Sequence, residues 1–371
     1  MTSRYDQQMA SRAAFEAAGQ RIRALSYAGL GPVELRVAIL RERARVCPLE
    51  GAFFPTADPA TLLYTSAVRV GMPDGLTPLF LDNEFSTPDV NKFRSLVASG
   101  VTVSTLDAAT QGDRSASPRS RQIMLPAGLG DELRAVFRTG AATWGYACLH
   151  RAPGPSFDDD EISFVRAVAP HIAQGLRHSL MTERARRDAS PQAPGVLTLA
   201  PDLTLLAATP AGHGWIEDLA AAEQPQSRTL PVAVLAVAQA LRDVARRETL
   251  SGHVPRLTVR GASGQWLVLH ASHLNSPSGT QIAIVIEPAA RAELEPVIVA
   301  GYGLTAREAQ IMTLMLRGLP AKKIAATLRV TTNTANDHIK AIYAKTGVGS
   351  RGELMATIFR NHSAARAKAG G

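Results

Sequence analysis

Between Leu304 and residue 360 the chain is punctuated for a succession of short helices, and no other stretch restricts the fold so tightly. Thr305 stands three residues before Glu308, a pairing in which each side chain satisfies the other's backbone N–H at a helix start. Behind it Ile311, Met312, Met315 and Leu316 recur on one face, and Gly318 suits the stop. Pro320 fits an early position of the next helix, 321–328, with Ile324, Ala325 and Leu328 turned inward. The turn Arg329-Val330-Thr331 leads to a third helix that Thr331 or Thr332 caps and Gly347 ends. Ser350 and Glu353 repeat the capping signature for a fourth helix, which Leu354, Ile358 and Phe359 pack back.

Two helices joined by a short turn, the second with a polar outer face, read as a helix-turn-helix. Its second helix is the one that enters the major groove of DNA. Here that helix turns Ile339 and Ile342 inward and offers Asn333, Asn336, Asp337, Lys340 and Lys345 outward. Asparagine reads adenine through two hydrogen bonds, and lysine reaches phosphate or guanine. Periodicity alone leaves an ordinary helical hairpin equally open. Charge singles out the same segment. Of the 40 Lys+Arg and 32 Asp+Glu, 11 basic and 3 acidic residues lie from Gly301 onward, leaving 29 of each before it. A balanced body with a small basic end suits a nucleic-acid binder carrying a separate sensing part.

The residues carry the reading further. LTAREAQIMTLMLRG followed by KKIAATLRVTTNTANDHIKAIYAKTGVGSR resembles the LuxR-type helix-turn-helix of transcription regulators over nearly its full length. The matching positions are Leu304, Thr305, Arg307, Glu308, Gly318, Lys322, Ile324, Ala325, Leu328, Val330, Thr334, His338, Lys345, Gly347, Val348 and Arg351. The resemblance implies binding to double-stranded DNA as a homodimer, with the fourth helix contributing to the dimer contact. It places Thr332, Asn336, Asp337 and Lys340 toward the groove, and makes Lys322, Thr334 and Lys345 candidates for phosphate contacts. One pair departs from the pattern. Ala335-Asn336 stands where the family commonly has Val-Lys or Val-Arg, which implies a changed preferred sequence or weaker affinity.

Ahead of this domain, expected over 300–362 with a flexible tail at 363–371, two further segments are legible. Residues 1–187 open with a helical stretch (11–45) and continue through strand-like runs at 61–70, 134–137 and 143–149. A helix is expected over 89–98, with Asp89 near its start. The segment ends in a long helix, 158–187, whose acidic start Asp158-Asp159-Asp160-Glu161 suits the helix dipole and whose Pro170 should kink it. The linker 188–194 (DASPQAP) is short, polar and proline-bearing. In residues 195–289, strands (196–199, 203–208) precede helices (211–222, 231–247) and a meander of 256–260, 265–272 and 281–286 turning at Gly261–Gly264. This order makes a small α+β domain.

The run 81–96 (LDNEFSTPDVNKFRSL), then 144–151 (WGYACLHR), then 157–161 (FDDDE) resembles GAF-type sensory domains. The second segment resembles a PAS-like domain through Ala207-Ala208-Thr209-Pro210-Ala211, Trp215 and Trp266, with Thr209 where that type often has Asn. Both resemblances imply α/β sandwiches whose sheet cups a small molecule. The expected architecture is therefore multidomain α+β, two such sensory domains followed by an all-α four-helix LuxR-type domain. Phe137, Trp144 and Tyr146 are candidates to line an effector pocket, with plain core packing the commoner role of such aromatics.

Other function classes find little footing. No G-x-S-x-G elbow, Walker loop or H-E-x-x-H helix is present, so an enzyme is not expected. The glycines of 347–352 follow a helix and not a strand, which fails the context a dinucleotide site needs. Cys47 and Cys148 are far apart, and His270 and His273 alternate across a strand, so no metal or other cofactor is expected. No apolar run is long enough for a membrane span, and residues 1–13 lack a signal-peptide core, which points to the cytoplasm. The rival function is a protein-interaction or sensor module, or a sensor-domain enzyme, whose helix-turn-helix no longer binds DNA.

Overall fold

The computed structural model describes residues 4–73, 75–182, 193–223, 230–246, 254–276 and 279–355. The linker after Thr182, Ile358, Phe359 and the tail lie outside them. The chain divides into two compact units, Met1–Arg138 with Thr143–Ala289, and Thr139–Ala142 with Ala290–Gly371.

Unit 1 holds two sheets. The first lobe contains α1 (Arg4–Ser26), α2 (Pro32–Ala44), β1 (Gly51–Ala57), β2 (Tyr64–Val70), α3 (Leu76–Phe85), α4 (Phe93–Ser99), β3 (Val103–Thr105), α5 (Leu106–Ala109), β4 (Asp131–Thr139), β5 (Ala142–Arg151) and α6 (Asp159–Thr182). Its strands run in the order β2-β1-β5-β4-β3. The helical stretch expected over 11–45 is two helices. Gly29 takes a φ of +72°, and Pro32 starts α2 with its missing N–H at a position that needs none. α6 begins where its acidic run predicts, with Glu161 N–H donating to Asp158 Oδ1 at 2.8 Å and Asp158 N–H to Glu161 Oε2 at 3.0 Å.

All seven residues of β1 are buried, so the sheet is covered on both faces. Proline inside a strand normally marks an edge, yet Pro55 sits between β2 and β5. The pairing with β5 is interrupted there, between Phe53 opposite Cys148 and Thr56 opposite Gly145, and Gly145 leaves room for the close backbone, since a Cβ there would lie 2.7 Å from Pro55 O. The helix expected from Asp89 begins four residues later. Asp89 instead accepts from Asn83 Nδ2 at 2.8 Å, Ser117 Oγ at 3.1 Å and the Arg119 N–H at 2.9 Å, joining three segments.

The second lobe contains β6 (Gly195–Leu199), β7 (Leu205–Ala208), α7 (Pro210–Ala221), α8 (Val232–Arg246), β8 (Arg256–Arg260), β9 (Trp266–Ser276) and β10 (Gly279–Pro288). Its order, β7-β6-β10-β9-β8, repeats the topology of the first sheet. The Gly261–Gly264 turn forms as expected, with Arg260 opposite Trp266. β8 and β10 alternate buried residues with half-buried or exposed ones, so only one face meets the core.

α8 explains why the lobes form one unit. Val232 to Ala238 are all buried, and a helix apolar all round needs cover on every side. It packs on β2 and α3 of the first lobe and on β9 of its own. One apolar cluster consequently runs from Phe53 and Tyr64 through Val234 and Leu241 to Leu267 and Ile284. Polar ties reinforce the seam. Thr258 N–H donates to Asp58 Oδ2 at 2.9 Å, and Gln239 Nε2 donates to Asp82 Oδ1 and Ser86 Oγ, both at 2.7 Å.

Unit 2 contains α9 (Arg291–Gly301), α10 (Ala306–Leu316), α11 (Ala321–Leu328) and α12 (Thr332–Thr346), with residues 351–355 helical again. α10, α11 and α12 pack mutually around Ile311, Met312, Met315, Ile324, Ala335, Ile342 and Leu354, all buried.

Candidate nucleic-acid interface

α10 starts at the capping box that the sequence specifies. Thr305 Oγ1 accepts from Glu308 N–H at 3.3 Å, and Thr305 N–H donates to Glu308 Oε2 at 2.7 Å. The same carboxylate takes Lys345 Nζ at 2.6 Å from the end of α12. Burial works against ionisation of Glu308, but Lys345 and the cap donors hold its pKa below the usual range. Arg307 reaches across to the last turn of α11, donating to Leu328 O at 2.7 Å. Arg351 donates to Leu319 O at 2.7 Å and to Met315 O, closing the end of α10. Four charged residues of the LuxR pattern thus fasten helices together.

The turn between α11 and α12 is tight because Arg329 adopts a left-handed conformation, φ +54°, where glycine would be at less cost. α11 is capped by Pro320, one position before the helix and not within it. Of the two threonines open as the cap of α12, Thr331 is the one. Its Oγ1 accepts from Thr334 N–H at 3.1 Å and lies 2.8 Å from Thr334 Oγ1.

Orientation of α12 follows from its small and apolar residues. Ala335 and Ile342 are fully buried, and Ile339 is half-buried. Thr332, Asn333, Asn336, Asp337 and Lys340 are exposed. Spaced by fours and threes, they form one stripe along the helix. No other described residue holds their side chains. Lys322, Lys323 and Arg329 are exposed on the preceding helix and turn. Two expected contacts stand differently. Lys345 is held by Glu308, and Thr334 is half-buried against Thr331. Lys323 and Arg329 were not singled out from the sequence; their signal was positive charge on and just after a short helix.

The aromatic candidates for an effector pocket lie elsewhere. Trp144 and Tyr146 are wholly buried and Phe137 is 2% exposed. Phe137 packs on Phe54 with ring centroids 5.1 Å apart, and Tyr146 stacks on Phe93 at 4.3 Å. They occupy central strands covered on both faces, which leaves them in the core. Both cysteines are buried as well, and burial pushes the Cys47 thiol up to about 12 and the Cys148 thiol up in the same direction. Thiols so protonated are poor nucleophiles. Among the described residues no group of His, Cys, Asp or Glu is arranged to hold a metal ion, and no helix is long and apolar enough to cross a membrane.

A tight turn between two helices, the second with a solvent-facing polar stripe, defines a helix-turn-helix domain. Residues 303–358 match the luxR family of bacterial regulatory proteins, and this segment is a LuxR-type domain. A relative from Aeromonas salmonicida, named as an HTH-type transcriptional regulator in the exeN 3′ region, is 36% identical over 94 residues. That match spans 25% of this chain and 44% of the relative, so the chain spans less than half the length of the protein it matches.

Solved structures give weaker likenesses. A GAF domain/HD domain protein from Geobacter sulfurreducens matches with a TM-score of 0.33 and 16% identity, over 42% of this chain and 98% of that one. The E. coli DhaR(N)–DhaL complex matches at 0.24 and 14% identity, over 74% and 90%. The phage VqmA–DPO complex matches at 0.17 and 20% identity, over 47% and 87%.

Proposed function

We propose that the chain is a sequence-specific, DNA-binding transcription regulator whose C-terminal unit docks α12 in the major groove of duplex DNA. The observation that carries this is the stripe of Thr332, Asn333, Asn336, Asp337 and Lys340. It is exposed and unengaged on a helix whose opposite face is locked by Ala335 and Ile342. Asn333 and Asn336 have the chemistry to read adenine, and Asp337 that to accept from cytosine. Lys340, Lys322, Lys323 and Arg329 supply the phosphate contacts, and Lys345 serves the scaffold. The chain acts as a homodimer on a two-fold site, with half-sites about one helical turn apart.

The lobes of unit 1 are sensory, GAF-like and PAS-like, and respond to a small molecule. Their repeated strand order and the sequence resemblances support this reading. The protein is cytoplasmic and not an enzyme. A signal acts by having different affinities for the states in which unit 2 is and is not available to DNA.

One observation favours a rival. The stripe carries a single lysine beside Asp337, weak in charge for a DNA-facing helix. A protein-interaction module would need no more. Selection of bound duplexes from a random pool by the full chain separates the two. A regulator enriches a palindromic motif containing adenine at the asparagine positions. An interaction module enriches none.

A further inference from the structure

We propose that the cleft where the two lobes of unit 1 meet binds a small amphipathic anion, an aromatic or aliphatic molecule bearing a carboxylate or similar group. Its purpose as a signal site rests on the sensory reading of unit 1; the binding itself does not.

The cleft has a volume of about 600 Å³, within the range of small-molecule pockets. Residues 60–64, Phe85 and Phe93 of the first lobe form one side, and Ala240, Val244, Val254 and Pro255 of the second form the other. Tyr64 lies at its floor, with ring centroids 5.7 Å from Phe85 and 6.3 Å from Phe93. That is a surface for a ring or an alkyl chain.

The charges that line the cleft set the class of ligand. Arg94, from α4, and Arg256, at the start of β8, line the cleft from opposite lobes, and both are exposed. Among the described residues neither is in an ion pair. Neither of the carboxylates that line the cleft, Glu84 and Asp243, forms an ion pair with them among the described residues. Glu84 is committed to Arg134 at 2.6 Å and to Phe93 N–H at 2.8 Å, while Lys92 and Asp243 have partners of their own. Guanidinium groups outside any ion pair, in a cleft with an apolar lining, suit a carboxylate, to which a guanidinium can donate paired N–H groups. A molecule so held touches both lobes. It therefore favours one arrangement of α4 against α8 and β8, which is what a signal must do to shift a population.

The test uses the full chain and two fluorescent probes of similar shape, the anionic 1-anilinonaphthalene-8-sulfonate and the uncharged N-phenyl-1-naphthylamine. The anion should bind saturably, one per chain, and decanoate should displace it. Arg94→Gln with Arg256→Gln should weaken the anion by about tenfold or more and leave the uncharged probe little changed. Ser95→Trp, at an exposed position of the lining, should weaken both. All three positions are on the surface, so melting curves should match the wild type. Equal binding of the anion by every variant would overturn the proposal, as would equal loss of both probes in the double variant. Duplex binding is measured in parallel. A chain that binds DNA but neither probe overturns the cleft alone; one that binds the probes but no DNA overturns the regulator alone.

Discussion

Glu223 lies beneath the meeting of the two lobes, where its carboxyl accepts from Val232 N–H at 2.7 Å and stands 3.6 Å from Arg69. Burial pushes its pKa up from 4.5 to about 7. A carboxyl raised in this way keeps its proton longer in the folded state than in the unfolded one. Between those two values the folded state binds more protons, so stability falls as pH rises, by up to about 3 kcal/mol. His150 works the other way, since burial lowers it to about 4 and stability gained from it rises between that value and 6.5. The opposing slope is common to wild type and variant. The stability difference between Glu223→Gln and wild type should therefore grow from pH 4.5 to about 7 and then level off, in urea unfolding at a series of pH values. A constant difference would show that Glu223 ionises normally.

Residue-scale legibility has a clear limit. The capping box of Thr305 and Glu308 is local, three residues long, and can be read directly. Lys345 is not, because its partner Glu308 is 37 residues away, and a lysine on a DNA-facing domain reads as a phosphate contact until that partner is seen. Asp89 misled in the same manner, since an acidic residue after proline resembles a helix start while its hydrogen bonds go to Asn83, Ser117 and Arg119.

At the scale of elements, β1 was the strand that sequence reasoning passed over. Its run GAFFPTA does not alternate, because both its faces are buried, and a proline inside a run is no signal for a central strand. Its pairing with β5 lapses at Pro55, and Gly145 on that strand lets the two backbones come close. Gly145→Ala would place a methyl 2.7 Å from Pro55 O and 3.0 Å from Leu176 Cδ1, and the backbone oxygen cannot retreat easily. We expect a loss of roughly 1–3 kcal/mol, read as a lower midpoint in denaturant; an unchanged midpoint would mean that the sheet relaxes freely there. By contrast α10, α11 and α12 were legible almost to the residue, as each carries its own start and stop. Gly347 ends α12 with a φ of +68°, a conformation that asks for glycine.

At the scale of the whole chain, the sequence suggested two separate sensory domains, whereas the two sheets share a core through α8. Its first seven residues, VAVLAVA, look like half of an amphipathic helix in isolation. Only the presence of sheets on both sides gives every one of them cover. The consequence is cooperative unfolding. Amides of β1 and of β9 should lose hydrogen-exchange protection at the same denaturant concentration, and α8 with them. Separate transitions for the two sheets would contradict a common core.

In the proposed regulator α12 is the DNA-reading helix, with Lys340 on its working face and Lys345 in its scaffold. The most direct test is a salt titration of the affinity of the full chain for its selected duplex, for wild type, Lys340→Ala and Lys345→Ala. Each phosphate neutralised adds roughly 0.9 to the slope of log K against log salt. The slope should fall by about one unit for Lys340→Ala. For Lys345→Ala it should stay unchanged, while unit 2 melts earlier by the loss of its tie to Glu308, worth up to about 1 kcal/mol. If Lys345→Ala lowers the slope and Lys340→Ala does not, the assignment of the two faces of α12 is reversed and the account fails.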